Sequence, residues 1–186
     1  MKRILLSIVY FSFATCCLAA ASETEKNARL LKAAKEGDLH EVKAALEKGA
    51  EINVKSPASG ETALMLAITN AHGEIAKYLL EKGADTNIKR ASDNATALWM
   101  AAKLGHPNIT KLLIDKGAQL NVTNSADEAT PLWIAAREGH VEVVKHLLAA
   151  KADLNAKAKD GKTALGIAKH EGHEEIVKLL EKAGAK

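Results

Sequence analysis

Cysteine, aromatic residues and proline are scarce in this chain. The two cysteines, Cys16 and Cys17, adjoin one another near the N-terminus. Beyond them there is no thiol, which excludes a disulfide framework, a cysteine nucleophile and a thiolate metal site from the rest of the chain. Aromatics make up 3% of the residues, and past Ala21 only Tyr78, Trp99 and Trp133 are left, with no phenylalanine. A strong excess of one charge is also missing. Lys plus Arg number 26 against 23 Asp plus Glu. Two of the cations, Lys2 and Arg3, open the chain, so residues 22–186 are close to neutral at about +1. Nothing of the basicity expected of a nucleic-acid-binding surface remains.

Catalytic motifs are absent as well. The serines beyond Ala21 are Ser22, Ser56, Ser59, Ser92 and Ser125, and none stands in a G-x-S-x-G elbow. There is no phosphate-cradling glycine loop and no H-E-x-x-H helix. The reading is a non-enzyme without a cofactor.

What is present begins with a leader. Lys2 and Arg3 precede an uncharged, largely apolar run from Ile4 to Ala14, and Leu18-Ala19-Ala20-Ala21 supplies small residues of the type a signal peptidase cleaves after. Residues 1–21 are therefore expected to be a secretory signal, which places the remaining chain in the periplasm or outside the cell. A membrane anchor is the competing reading, because Ile4–Ala21 is uncharged throughout and reaches the lower edge of a bilayer span. Ser7, Ser12, Thr15 and the alanines weaken that reading. A lipid on Cys16 or Cys17 is the other route to a membrane. Thr15 before Cys16, and Cys16 before Cys17, match poorly the small residue that precedes a lipidated cysteine.

The dominant signal is an internal repeat. Thr62-Ala-Leu-Met-Leu-Ala67 recurs as Thr96-Ala-Leu-Trp-Met-Ala101, Thr130-Pro-Leu-Trp-Ile-Ala135 and Thr163-Ala-Leu-Gly-Ile-Ala168. The threonines keep one constant spacing, shortened by a single position at the last step. A degenerate copy, Ala28-Arg-Leu-Leu-Lys-Ala33, lies one further period before Thr62. His72, His106, His140 and His173 keep the same phase, as do Asn53, Asn87, Asn121 and Asn155. Each copy reads as two short helices. Leu98, Ala101 and Ala102 share one face of the first, and Ile109, Leu112 and Leu113 form the stripe of the second. Threonine caps the first helix, Pro131 suits a first helical position, and Gly105, Gly139 and Gly172 break the chain between helices. Gly83 and Gly117 end the second helix in a tight reversal.

Thr-Pro-Leu-x-x-Ala-Ala, then Gly-His, then a Leu-Leu helix closing on Gly-Ala-Asp-x-Asn, resembles the ankyrin repeat. The resemblance covers about residues 24–186. It implies an all-α solenoid of about five helix-turn-helix units with connecting hairpin loops, at about 28–61, 62–95, 96–129, 130–162 and 163–186. The first three connecting segments are one residue longer than the family's repeat of about 33. Ala71 and Lys151 replace turn glycines, and Met65, Trp99, Trp133 and Gly166 replace the family's histidine. A repeat cannot bury its apolar face alone, so end units need a wet side. Glu41 and Glu181 supply it at two positions that are apolar in the other copies, and the array is read as complete.

Three constellations remain. The in-phase histidines suggest a metal ladder, but stacked helices lie roughly 10 Å apart while one zinc ion needs donors at about 2.0–2.3 Å. A local structural role, at the start of each second helix, is the expectation, with no metal. Lys43, Lys77, Lys111, Lys145 and Lys178 form a solvated outer stripe, with Glu74, Glu142 and Glu175 placed to pair with three of them. Trp99 and Trp133 share one phase in adjacent repeats, either as inter-repeat packing or as an aromatic patch at the rim of the concave face.

The resemblance implies binding of another protein through the hairpin tips and the exposed face of the first helices. Carried over position by position, it points to Lys35, Glu36, Thr69, Asn70, Lys103, Leu104, Arg137, Glu138, His170 and Glu171. The tips would be Ser56–Gly60, Arg90–Asn94, Asn124–Glu128 and Lys159–Gly161. Trp99, Lys103, Leu104, Trp133, Arg137 and Glu138 are the partner-binding candidates. The expected molecule is a monomeric interaction module of the cell envelope. The alternatives are a protective or assembly factor for an exported enzyme, and a secreted effector that binds host proteins.

Overall fold

The computed structural model describes residues 22–185. The leader expectation, and with it Cys16 and Cys17, falls outside the described residues. What is described is ten helices in five pairs. They are α1 (22–36) with α2 (Leu39–Glu47), α3 (Ala63–Thr69) with α4 (Gly73–Glu81), and α5 (Ala97–Leu104) with α6 (Pro107–Asp115). They continue as α7 (Pro131–Glu138) with α8 (Val141–Ala149), and α9 (Ala164–Glu171) with α10 (Glu174–Lys182). No strand occurs among the described residues, apart from an isolated bridge between Lys55 and Thr62.

Each first helix after α1 starts at a threonine cap. Thr62, Thr96, Thr130 and Thr163 accept, through Oγ1, the backbone N–H three positions on, at 3.3, 3.3, 3.2 and 3.3 Å. Each cap satisfies an otherwise orphaned amide and contributes about 1 kcal/mol. Pro107 and Pro131 occupy first-turn positions of α6 and α7, where the missing N–H costs nothing. Gly105, Gly139 and Gly172 end their helices in the left-handed region. Ala71 and Lys151 stand where glycine is expected and adopt the same hand, at φ 59° and 64°. The turns are therefore kept, at a steric cost of about 1–2 kcal/mol each.

The core is one continuous cluster running through all five pairs. Leu30, Leu64, Leu98, Leu132 and Leu165, one per pair and in phase, are all buried. Leu79, Leu113, Leu147 and Leu180 do the same for the second helices. Burying each such leucine is worth about 2 kcal/mol, which no isolated pair could collect on both faces. At the ends the in-phase positions turn polar: Glu41 lies 4.0 Å from Arg29, and Glu181 pairs with Lys169 at 2.8 Å.

Candidate partner-binding face

The repeat period places equivalent residues in columns across the stack. One column, at the last turn of the first helices, is Lys35, Thr69, Lys103, Arg137 and His170. The next is Glu36, Asn70, Leu104, Glu138 and Glu171. Arg137 is half-buried and the other nine are exposed. Side chains of the two columns pair beyond the centre: Arg137 Nη2 donates to Glu138 at 2.8 Å, and His170 Nδ1 lies 3.0 Å from Glu171. The middle differs. Thr69, Asn70 and Leu104 carry no charge, and Leu104, 41% exposed, is the large apolar side chain left in solvent among the described residues.

The histidines explain why these columns are regular. His72, His140 and His173 begin α4, α8 and α10, and each turns its ring back onto the preceding pair. Their Nε2 atoms donate to the carbonyls of Lys35, Lys103 and Arg137 at 3.0, 3.0 and 2.9 Å. A carbonyl only accepts, so the proton must be on Nε2. The ring fits because the interhelix glycine has no Cβ. One built on Gly37, Gly105 or Gly139 would lie 2.6, 2.5 or 2.8 Å from the imidazole. These histidines are committed to backbone, in keeping with the local role read from the sequence.

The tryptophans require a correction to the candidate set. Trp99 and Trp133 retain 4% and 5% exposure, so the aromatic patch at the rim does not form. Their indole N–H groups donate to the carbonyls of Ala129 and Lys162, each just before the next pair's first helix, at 2.9 and 3.1 Å. A buried indole needs such a partner, and one repeat of rise brings it within reach. Cations cover the rings: Lys103 Nζ stands 5.4 Å from the Trp99 centroid, and the Arg137 guanidinium 5.3 Å from that of Trp133. Such contacts are worth about 0.5–1 kcal/mol at exposed sites. The structure thus joins Trp99 to Lys103 and Trp133 to Arg137 and Glu138. The indoles form a floor, and the charged heads and Leu104 form the surface.

Two features of the face were missed from the sequence. Asn27, Asn53, Asn87 and Asn121 accept, through Oδ1, the backbone N–H of Glu51, Asp85, Gln119 and Asp153 at 2.8–3.0 Å. The common phase of three of them was visible, but the role was not. At the tips, Asp93, Asp127 and Asp160 form a column at the repeat period, which the sequence displays once looked for. Arg90 grips Asp93 at 2.6 Å and Glu61 at 3.2 Å. The Arg90 hydrogen bond, aided by the Ala95 N–H and by the charges of Arg90 and Lys103, holds the Asp93 carboxyl below its usual range. A shallow cavity of about 280 Å³ lies between Asp127, Trp133, Ala158, Lys159 and Asp160.

The family model described as ankyrin repeats in three copies matches residues 30–124 and again 98–186. The chain belongs to the ankyrin-repeat family. No curated protein is similar enough to count as a match. Ankyrin repeats are generally protein–protein interaction modules and typically non-catalytic. No helix among the described residues is long and apolar enough to cross a membrane.

Proposed function

We propose that this ankyrin stack is exported and binds one protein partner on the concave surface, centred on Lys103 and Leu104 and flanked by Arg137 and Glu138. Trp99 and Trp133 support that surface from beneath. The observation that carries the reading is Leu104: an exposed apolar side chain at the last residue of α5, with Asn70 and Glu138 at the equivalent positions of the neighbouring pairs. An apolar centre with a polar rim is the usual anatomy of a contact patch. Lys103 adds a cation that makes no ion pair within 4.0 Å among the described residues, while Arg137 is already engaged by Glu138. The leader-like residues 1–21 support an exported partner, and the stack acts as a monomer in this reading.

A photo-crosslinking side chain at position 104, with a control at Lys111 on the outer face of α6, tests this in the native cell. A specific protein adduct from position 104 that is missing from position 111 supports the reading. Leu104→Glu, Lys103→Ala and Arg137→Ala should release that protein while leaving the helical spectrum unchanged. Equal adducts from both positions, or full binding in the triple variant, would refute it. An N-terminus near Ser22 in the purified native protein supports export; an intact Met1 in the cytoplasm sinks it.

A further inference from the structure

Four hydrogen bonds recur between neighbouring helix pairs, one of them the asparagine bond accepted by Asn53, Asn87 and Asn121. Of the others, the first runs from a histidine ring to the end of the preceding first helix, as in His72 to Lys35, His140 to Lys103 and His173 to Arg137. The second runs from an indole to the carbonyl before the next pair, as in Trp99 to Ala129 and Trp133 to Lys162. The third joins the tips, each counted with the helix pair that follows it: Ser125 N–H donates to the Asp93 carbonyl at 2.7 Å, and Lys159 N–H to that of Asp127 at 2.8 Å.

Between the first and second pairs, where Leu31 holds the indole position, the histidine bond remains. Between the second and third pairs the histidine, indole and tip bonds are all missing and the asparagine bond is kept. Ala71 holds the glycine position at φ 59°, and it carries the Cβ that at the equivalent Gly37, Gly105 and Gly139 would lie within 2.8 Å of the imidazole. His106, in phase with the other three, makes no bond to Thr69. Met65 stands where the indole would be and has no donor to offer. Ala91 and Ser59, in phase with Ser125 and Asp93, exchange no bond. In α6, which packs against both α4 and α8, the Thr110 hydroxyl is buried without a partner. What spans the joint, besides apolar packing, is largely side chain: Arg90 to Glu61 at 3.2 Å, Lys55 Nζ to the Lys89 carbonyl at 3.3 Å, and Asn87 to the Gln119 N–H at 2.8 Å.

We infer that the stack opens at this joint. The third to fifth pairs form one cooperative unit, and the first two detach from it together at lower free energy than global unfolding. Solenoid stability is a sum over neighbouring interfaces, so the interface that lacks the histidine, indole and tip bonds together is where the array divides, whereas the first joint keeps its histidine bond. The joint also lies under the proposed partner face, with Thr69 and Asn70 on one side and Lys103 and Leu104 on the other. The opening itself does not depend on that functional reading.

Hydrogen exchange on the full chain tests it. Buried amides of α2, α3 and α4 should exchange as one group, with a step to slower exchange between α4 and α5. Ala71→Gly relieves the left-handed strain and frees the seat for His106, so exchange across α2–α4 should slow together, about tenfold, with α7 and α8 unchanged. Protection that declines smoothly from α4 to α2 with no step at α5 would mean simple end fraying and overturn the inference. So would an effect of Ala71→Gly confined to the residues beside it. A urea titration gives a second reading, because both tryptophans belong to the third and fourth pairs. Helical circular dichroism should begin to fall before tryptophan fluorescence changes, and coincident transitions would overturn the proposal.

Discussion

Gly105→Ala is the most direct probe of how the stack is joined. Two separate costs arise from one added methyl. The first is conformational: φ at Gly105 is 72°, and an alanine held there loses about 1–2 kcal/mol. The second is steric. The new Cβ would stand 2.5 Å from Cε1 and 2.6 Å from Nδ1 of His140, so the ring must leave and its bond to the Lys103 carbonyl goes with it. A lost hydrogen bond of this type costs about 1 kcal/mol. The total is about 2–3 kcal/mol. A double-mutant cycle with His140→Ala separates the costs, since without the ring only the conformational one remains. Gly172→Ala is the matched control, because φ there is 78° and a Cβ would meet nothing within 4 Å. Urea titrations followed by tryptophan fluorescence report on the third and fourth pairs, which the His140 bond joins. The coupling between Gly105→Ala and His140→Ala should be about 1 kcal/mol. Additivity within about 0.5 kcal/mol would show that the histidine bond does not hold neighbouring pairs together.

Thr110→Val replaces a buried hydroxyl that has no partner by a methyl of the same shape, and should stabilise the protein by about 1 kcal/mol, seen as a rise of about 2–4 °C in Tm. Trp133→Phe keeps an aromatic ring but removes the donor to the Lys162 carbonyl, and should cost about 1 kcal/mol in a urea titration. The pH dependence follows from Asp93. Its folded pKa is depressed, first by the Arg90 hydrogen bond, so its contribution is fully present above the ordinary carboxylate value of 3.8. That contribution is lost as pH falls from there through the lowered folded value, because the unfolded chain takes up the proton first. Asp93→Asn should flatten the acid limb of the stability profile over that window, and an unchanged limb would sink the assignment.

The missing joint and the strained turns have a common chemistry. Where the sequence departs from the repeat, the backbone path is retained and the cost falls on side-chain bonds. Ala71 keeps the turn but displaces a histidine. Met65 keeps the apolar volume but loses the indole donor. Lys151 keeps the reversal after α8 with left-handed strain of its own.

Periodicity by itself determined the architecture. Leucines recurring in phase, threonine before each first helix and glycine after it allow one backbone solution, five stacked helix pairs, because local capping and shared burial demand the same thing at every copy. Period gives phase, however, and phase does not give depth. Trp99 and Trp133 were in register in the sequence, yet whether the indoles faced solvent or the next pair depended on a carbonyl a whole repeat away. The in-phase histidines carried no sign that His106 differs from the others. The difference lies at its seat on the preceding pair, where Ala71 stands in place of the glycine whose missing Cβ makes room for the other rings. Tertiary contact across the repeat decided which polar groups hold the stack together and which are left exposed.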